Sequence, residues 1–314
     1  MILFVAKMAK KNWAKLIVLF ILLQVWQQQY CSADEQLFGY LQGVETMPKG
    51  KWQVYEWFTQ RSGKAEGLYS AQDHQFEIEV GITNRLQLSL YTMFSGHQIQ
   101  GASATKGGTK MEDRNTILEF NGLKAAFKYM LVSPYLNDWG IGAALYVEPA
   151  FKFINPTTGL RQEKYALEIK LLLQKNWLND RLIGVANFIL EPERAVTYAG
   201  LRDELNFKFL LGLTYLVAPN WYVGFEYRLD TQNPALAAVR DWSMVGALGN
   251  FSYVAMFVGP TIHYTSKKWW VTLTAMPQFF GMNLSKNPIL QEIPWLNLDK
   301  RTAFEIRLKI SYNF

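Results

Sequence analysis

The sequence predicts an all-β fold: a twelve-stranded antiparallel transmembrane barrel of up-and-down topology. Three observations predict it. The last eleven residues alternate without a break, with Phe304, Ile306, Leu308, Ile310, Tyr312 and Phe314 apolar and Glu305, Arg307, Lys309, Ser311 and Asn313 polar between them. The same two-residue period recurs along the chain after residue 50, in segments separated by alternately short and long connections. Tryptophans gather at one end of those segments. Strand side chains point to opposite faces in turn, so this period describes a sheet with one apolar and one wet face, not a helix or a fully buried strand.

The first 33 residues set the compartment. Lys7, Lys10, Lys11 and Lys15 precede an uncharged apolar run, 16–23, and the stretch ends in Cys31-Ser32-Ala33 ahead of Asp34 and Glu35. That is the layout of a secretory signal peptide cut after Ala33. The apolar run is short of the roughly 20 residues a membrane helix needs. Gln28-Gln29-Tyr30 before Cys31 does not fit a lipoprotein signal. The mature chain then holds no cysteine, which removes disulfide and thiolate chemistry. The whole chain carries +6; the leader's four lysines account for four of these, leaving +2. A nucleic-acid partner is therefore not expected, despite a pI near 9.1. Half the residues are hydrophobic, yet no later run is long enough for a membrane helix, so a membrane would be crossed by strands.

The connections place the strands. Short ones fall at 83–85, 133–138, 178–180, 218–220 and 265–268, rich in Asn, Asp, Pro or Ser as hairpin turns require. Long polar ones fall at 62–70, 99–114, 154–164, 192–202, 230–252 and 281–301. Five turns and six loops separate twelve strands, expected at 51–61, 71–82, 86–98, 115–132, 139–153, 165–177, 181–191, 203–217, 221–229, 253–264, 269–280 and 302–314. Short turns on one rim and long loops on the other match transmembrane barrels, with both ends of the barrel segment on the turn side. The organisation is a leader (1–33), a short periplasmic lead-in (34–50) and a barrel (51–314). Trp139, Trp177, Trp221, Trp269 and Trp270, with Tyr312 and Phe314, mark the turn-side rim as an interfacial aromatic girdle. A soluble sandwich would share the alternation but has no reason to add such a girdle.

The closing strand ending in Phe314 resembles that of bacterial outer-membrane β-barrels. The resemblance implies recognition by the barrel-assembly machinery and residence in a Gram-negative outer membrane, with membrane lipid and lipopolysaccharide as further partners. Gly81-Ile82-Thr83-Asn84-Arg85-Leu86 resembles the Gly-x-Thr-Asp-Arg-Leu hairpin of uncharacterised outer-membrane barrel families, including those named after aromatic-compound degradation operons. The 46–52 segment looks like the start of one such family of unknown function. These likenesses imply architecture and location and bring no activity or oligomeric state.

If the apolar faces meet lipid, strand parity names the lumen. Its lining candidates are Glu77, Glu79, Lys124, Lys128, Glu148, Lys152, Glu168, Lys170, Lys208, Glu226, Arg228, Glu305, Arg307 and Lys309, joined by Glu56 and Glu204. Acids and bases balance, so the wall alone implies no strong selectivity for ion sign. Twelve strands fall between the filled eight-stranded barrel and the open channel of 16–18, which leaves a hydrated passage and a filled polar core both open.

Catalytic chemistry has little to work with. Among the three histidines, His97 shares a lumen-facing parity with Ser95 near Asp73, the one arrangement suggesting a rim hydrolase. No nucleophile signature surrounds Ser95, and His74 falls on the apolar face. His74 and Glu77 point to opposite faces, so no metal set is expected there. Gly107-Gly108 is a loop tip between Lys106 and Lys110, and no nucleotide fingerprint occurs, so no cofactor is expected. The longest loops carry apolar segments, 234–239 and the stretch holding Pro288, Pro294 and Trp295, that could narrow the mouth or meet an outside partner. The sequence therefore points to an outer-membrane barrel acting as a passive channel for small solutes. A structural or surface-recognition barrel without flux is the alternative, and an outer-membrane hydrolase a further one.

Overall fold

Where apolar and polar residues alternate, the computed structural model places strands, and it describes residues 35–197, 200–233, 252–284 and 295–314. The strands are β1 (Trp52–Ser62), β2 (Glu66–Gly81), β3 (Leu86–Ser103), β4 (Arg114–Val132), β5 (Ile141–Ile154), β6 (Arg161–Trp177), β7 (Leu182–Thr197), β8 (Gly200–Ala218), β9 (Trp221–Asn233), β10 (Tyr253–Thr265), β11 (Trp269–Asn283) and β12 (Phe304–Asn313). Each pairs antiparallel with its neighbours in sequence, and β1 pairs with β12 to close the barrel. The leader, residues 234–239, Pro288 and Pro294 lie outside the described residues.

Alternation sets the two faces. A row of outward side chains runs through Leu171, Phe188, Phe209, Leu229 and Met256, each opposite the next across a ladder. The residues between them along each strand point inward and are buried, as with Lys170, Asn187 and Arg228. Outward aromatics gather at the turn side. Trp52 stacks on Phe314 (3.9 Å between ring centres, planes 4° apart), Tyr312 meets Phe314 edge-on, and Tyr264 packs between Trp221 and Trp269.

Four expectations are corrected. Trp270 is not in the girdle: consecutive strand residues face opposite sides, so with Trp269 outside, Trp270 is inside and fully buried. Glu56 faces outward, because β1 places Tyr55, Trp57 and Thr59 inside. Aromatic residues on its inner face had hidden the parity. The loops expected at 62–70 and 192–202 are largely strand, since β1 and β2 are joined by 63–65 and β7 runs to Thr197 before β8 resumes at Gly200. Beyond the apolar belt the wall is wet on both sides, so the alternation that marks a strand fades while the ladder continues. Finally, the 34–50 stretch expected as a short lead-in runs, over 35–47, inside the barrel.

Phe209 faces out near the middle of the belt, and Phe209→Lys is expected to destabilise the barrel refolded in lipid vesicles by about 2–4 kcal/mol. Urea unfolding followed by tryptophan fluorescence measures it. A Phe209→Leu control should stay near wild type.

Candidate functional site

The inner wall carries a band of charged side chains, many of them in ion pairs. Glu77, Glu79, Lys124, Lys128, Glu148, Lys152, Glu168, Lys170, Lys208, Glu226, Arg228, Glu305, Arg307 and Lys309 all sit on the inward face of their strands. On the β4–β8 side Lys124 reaches Glu148 at 2.9 Å, Lys170 reaches Glu168 at 2.6 Å, and Lys208 bridges Glu168 (3.2 Å) and Glu191 (2.6 Å). On the opposite side Arg228 grips Glu305 through two parallel hydrogen bonds of 2.9 and 3.0 Å, and Asp230 lies 3.2 Å from both Arg228 and Arg301. Pairing offsets the hydration that each of these charges loses on burial. Parity within the expected strand bounds omits Glu191, Glu193 and Asp230, at a strand tip and in loops; continuing the alternation from Asn187 to Glu193 and from Glu226 to Asp230 finds all three. Above the belt, Lys64 donates to the carbonyls of Leu298, Asp299 and Arg301, and burial holds its pKa down at about 7.

A finger of chain, 35–47, occupies the turn-side half of this lumen. It starts at the bottom of β10, where Glu35 accepts a hydrogen bond from Thr265. Its tip is Gly39-Tyr40. Glu226 accepts both backbone N–H groups there, at 2.6 and 2.7 Å, while Arg307 donates to the Gly39 carbonyl and the Tyr40 hydroxyl donates to Glu305. The return limb is held by reciprocal bonds between the Gln42 backbone and Asn187, then by Gln174 accepting from Val44 N and Gln87 accepting from Met47 N. Lys309 donates to the Gln36 side chain and the Phe38 carbonyl. An extended segment with no neighbouring strand must find side-chain partners for its main chain, and the wall supplies them.

Packing completes the fit. Phe38 and Leu41 pack into an apolar patch of Ile183, Val185, Ile189, Leu210, Leu216 and Tyr222. Two glycines allow the approach. A Cβ on Gly39 would meet Thr274 at 2.6 Å, and one on Gly212 would meet Phe38 at 2.7 Å. Beside the finger, Val44 joins Tyr55, Trp57, Tyr91, Tyr146, Leu172 and Trp270 in a second cluster across the lumen. Lys124 and Lys309 place their ammonium groups 4.1 Å from the Tyr91 ring and 3.9 Å from the Trp57 ring, favourable for cation–π attraction. A recess between finger and wall, lined by Glu35, Phe38, Glu45, Tyr135 and Tyr222 among others, offers about 20 Å³, room for little more than one water.

The rim histidine and serine do not form a dyad. Ser95 Oγ donates to Asp73 and accepts from Asn121, while the ring of His97 bonds to the Pro156 carbonyl. No cluster of three metal-ligating side chains occurs among the described residues.

A family described as a family of unknown function (DUF6662) matches residues 30–314. No curated protein matches the chain. Among solved structures, an outer membrane channel from Pseudomonas putida F1 shares 12% identity over 86% of this chain and 98% of its own, with a TM-score of 0.55. The NanC porin shares 12% over 83% and 100%, at 0.46, and LpxR from Salmonella typhimurium 10% over 83% and 100%, at 0.44. At such identities the likeness to the channel speaks for the barrel fold alone.

The finger's burial can be read chemically. A cysteine at Val44, fully buried on the return limb, is expected to resist a water-soluble thiol reagent in the folded barrel and to react when Gly212→Leu, with Phe38 retained, fills the space the Phe38 ring occupies. Mass spectrometry of the labelled protein gives the fraction modified.

Proposed function

The chain belongs to this family of unknown function, and we propose that it is an outer-membrane β-barrel serving as a passive passage for small solutes, held shut by its own finger. The outward apolar belt with its girdle, the closing strand ending in Phe314, and the fold shared with an outer membrane channel support the location. In this reading the turn-side rim and both ends of the barrel segment are periplasmic, and the long loops face outside. Recognition of Phe314 by the assembly machinery and contact of the loops with lipopolysaccharide belong to the same reading.

One observation carries the passage: from Phe38 to Met47 the finger's main chain is held by polar groups of the wall. Glu226, Asn187, Gln174, Gln87, Arg307 and Lys309 bind main-chain atoms that water could equally satisfy. A segment of 13 residues at the start of the barrel is therefore a separable stopper, and the ion-paired wall behind it would hold water. Balanced charge on that wall fits weak selectivity between anions and cations. A barrel without flux is the second reading, favoured by the Tyr55–Trp57–Tyr91–Tyr146–Trp270 cluster, whose large side chains reach across the lumen independently of most of the finger.

Planar-bilayer recording separates the two. The mature chain is expected to pass little current, and a variant lacking 35–47 to pass several-fold more. If the deletion variant keeps heat-modifiable migration, and so its barrel, yet stays silent, the passage reading fails and the filled barrel stands.

A further inference from the structure

One polar pair breaks the apolar belt on the outside of the barrel. Glu56 Oε1 lies 2.8 Å from His74 Nδ1, on the outward faces of β1 and β2. Across the ladders, Glu56 stands between Phe76 and Ile310, and Phe58 between His74 and Leu308. Glu56 is four residues along β1 from Trp52 in the girdle, which at ~3.4 Å per residue and ~40° of tilt is about 10 Å up a band ~25 Å tall. An outward aromatic row, Phe94–Phe120–Phe153, starts opposite His74 across the β2–β3 ladder. Elsewhere among the described outward residues, charged side chains keep to the rims. Lys175, two residues from Trp177, sits over that ring at 5.8 Å with its ammonium directed to the girdle.

A pair at this depth has no water and no lipid headgroup within reach. Their mutual hydrogen bond uses one carboxylate oxygen and one ring nitrogen. The other oxygen of Glu56 and Nε2 of His74 make no hydrogen bond with a described residue. Whatever covers them must offer a donor and an acceptor side by side, between apolar side chains. A second copy of this same face does so. About a two-fold axis, Glu56 of each copy meets His74 of the other, and carboxylates and imidazoles alternate around the axis. Phe58, Phe76, Leu308 and Ile310 surround the quartet with apolar contact.

We propose that the β1–β2 outer face, centred on Glu56 and His74, is the contact between two copies of this chain within the membrane. The proposal rests on the reading that the belt faces lipid. It is independent of whether the lumen conducts.

The mature protein, extracted in mild detergent, is weighed by sedimentation equilibrium. Wild type is expected to be a two-copy particle. His74→Glu, which sets four carboxylates around the axis, is expected to weaken association at least tenfold, and the exchange of Glu56→His with His74→Glu to restore it. In native membranes, and in a Cys31→Ser background, Phe76→Cys should form a disulfide-linked dimer while Leu211→Cys on the far wall should not. This second measurement stands if His74→Glu fails to fold. A wild type that is membrane-inserted but monomeric, a His74→Glu variant as dimeric as wild type, or equal cross-linking at both cysteines overturns the proposal. A single copy bound to a different protein at this face also overturns it. Absence of the wild type from the membrane fraction would instead defeat the reading on which it rests.

Discussion

A sheet that is apolar on its whole outer surface can leave no strand edge open, because an unpaired N–H or C=O in hydrocarbon has nothing to bond. The ladder between β1 and β12, from Gln53 opposite Asn313 to Ser62 opposite Phe304, meets that constraint and fixes everything else. Once it forms, every strand has two neighbours and each residue's side is decided. The register assigns Leu308 and Ile310 to the outer surface and Arg307 and Lys309 to the interior. A slip of one residue would exchange those sets and put an arginine and a lysine in the belt.

The interior follows from the same parity. A wall that alternates must put its polar residues somewhere, and here they line a narrow lumen where hydration is scarce. The response is dense pairing: Lys208 between Glu168 and Glu191, Arg228 between Glu305 and Asp230. Such networks add little net stability, since desolvation offsets the attraction. They do give the finger a specific seat, because a polar wall binds a main chain in one alignment and not in another.

Much of this was legible in the residues. Strands such as β6 and β8 announce themselves, since Leu167, Ile169, Leu171 and Leu173 against Glu168, Lys170 and Gln174 allow one reading only. The fourteen lining side chains could be named because alternation is a local property. The finger could not, because its partners are Glu226, Lys309 and Asn187, far away in sequence. One signal was present nonetheless. In β7 the run Ile183, Val185 and Ile189 is apolar on the inner side while Ala186, Phe188 and Leu190 are apolar on the outer, and a strand apolar on both faces must be covered on both. Glu56 and Trp270 were misplaced for a related reason: the aromatics inside β1 and at the start of β11 serve the interior, and composition alone does not tell a lumen aromatic from a girdle one.

The finger also bears on how such a barrel can be made. It is continuous with β1, the first strand synthesised, yet it bonds to Thr272, Glu305, Arg307 and Lys309 on the last two. The chain therefore carries, ahead of its opening strand, a receptor for its closing ones. Those contacts cross the seam from within, at the junction of two ends some 250 residues apart. Closing a loop of that length carries an entropic cost that rises with its logarithm, and an internal tether lowers it by holding the final strand beside its target before the ladder has zipped. A finger seated in this way would hold the first strand and the last two side by side before the ladder between them forms.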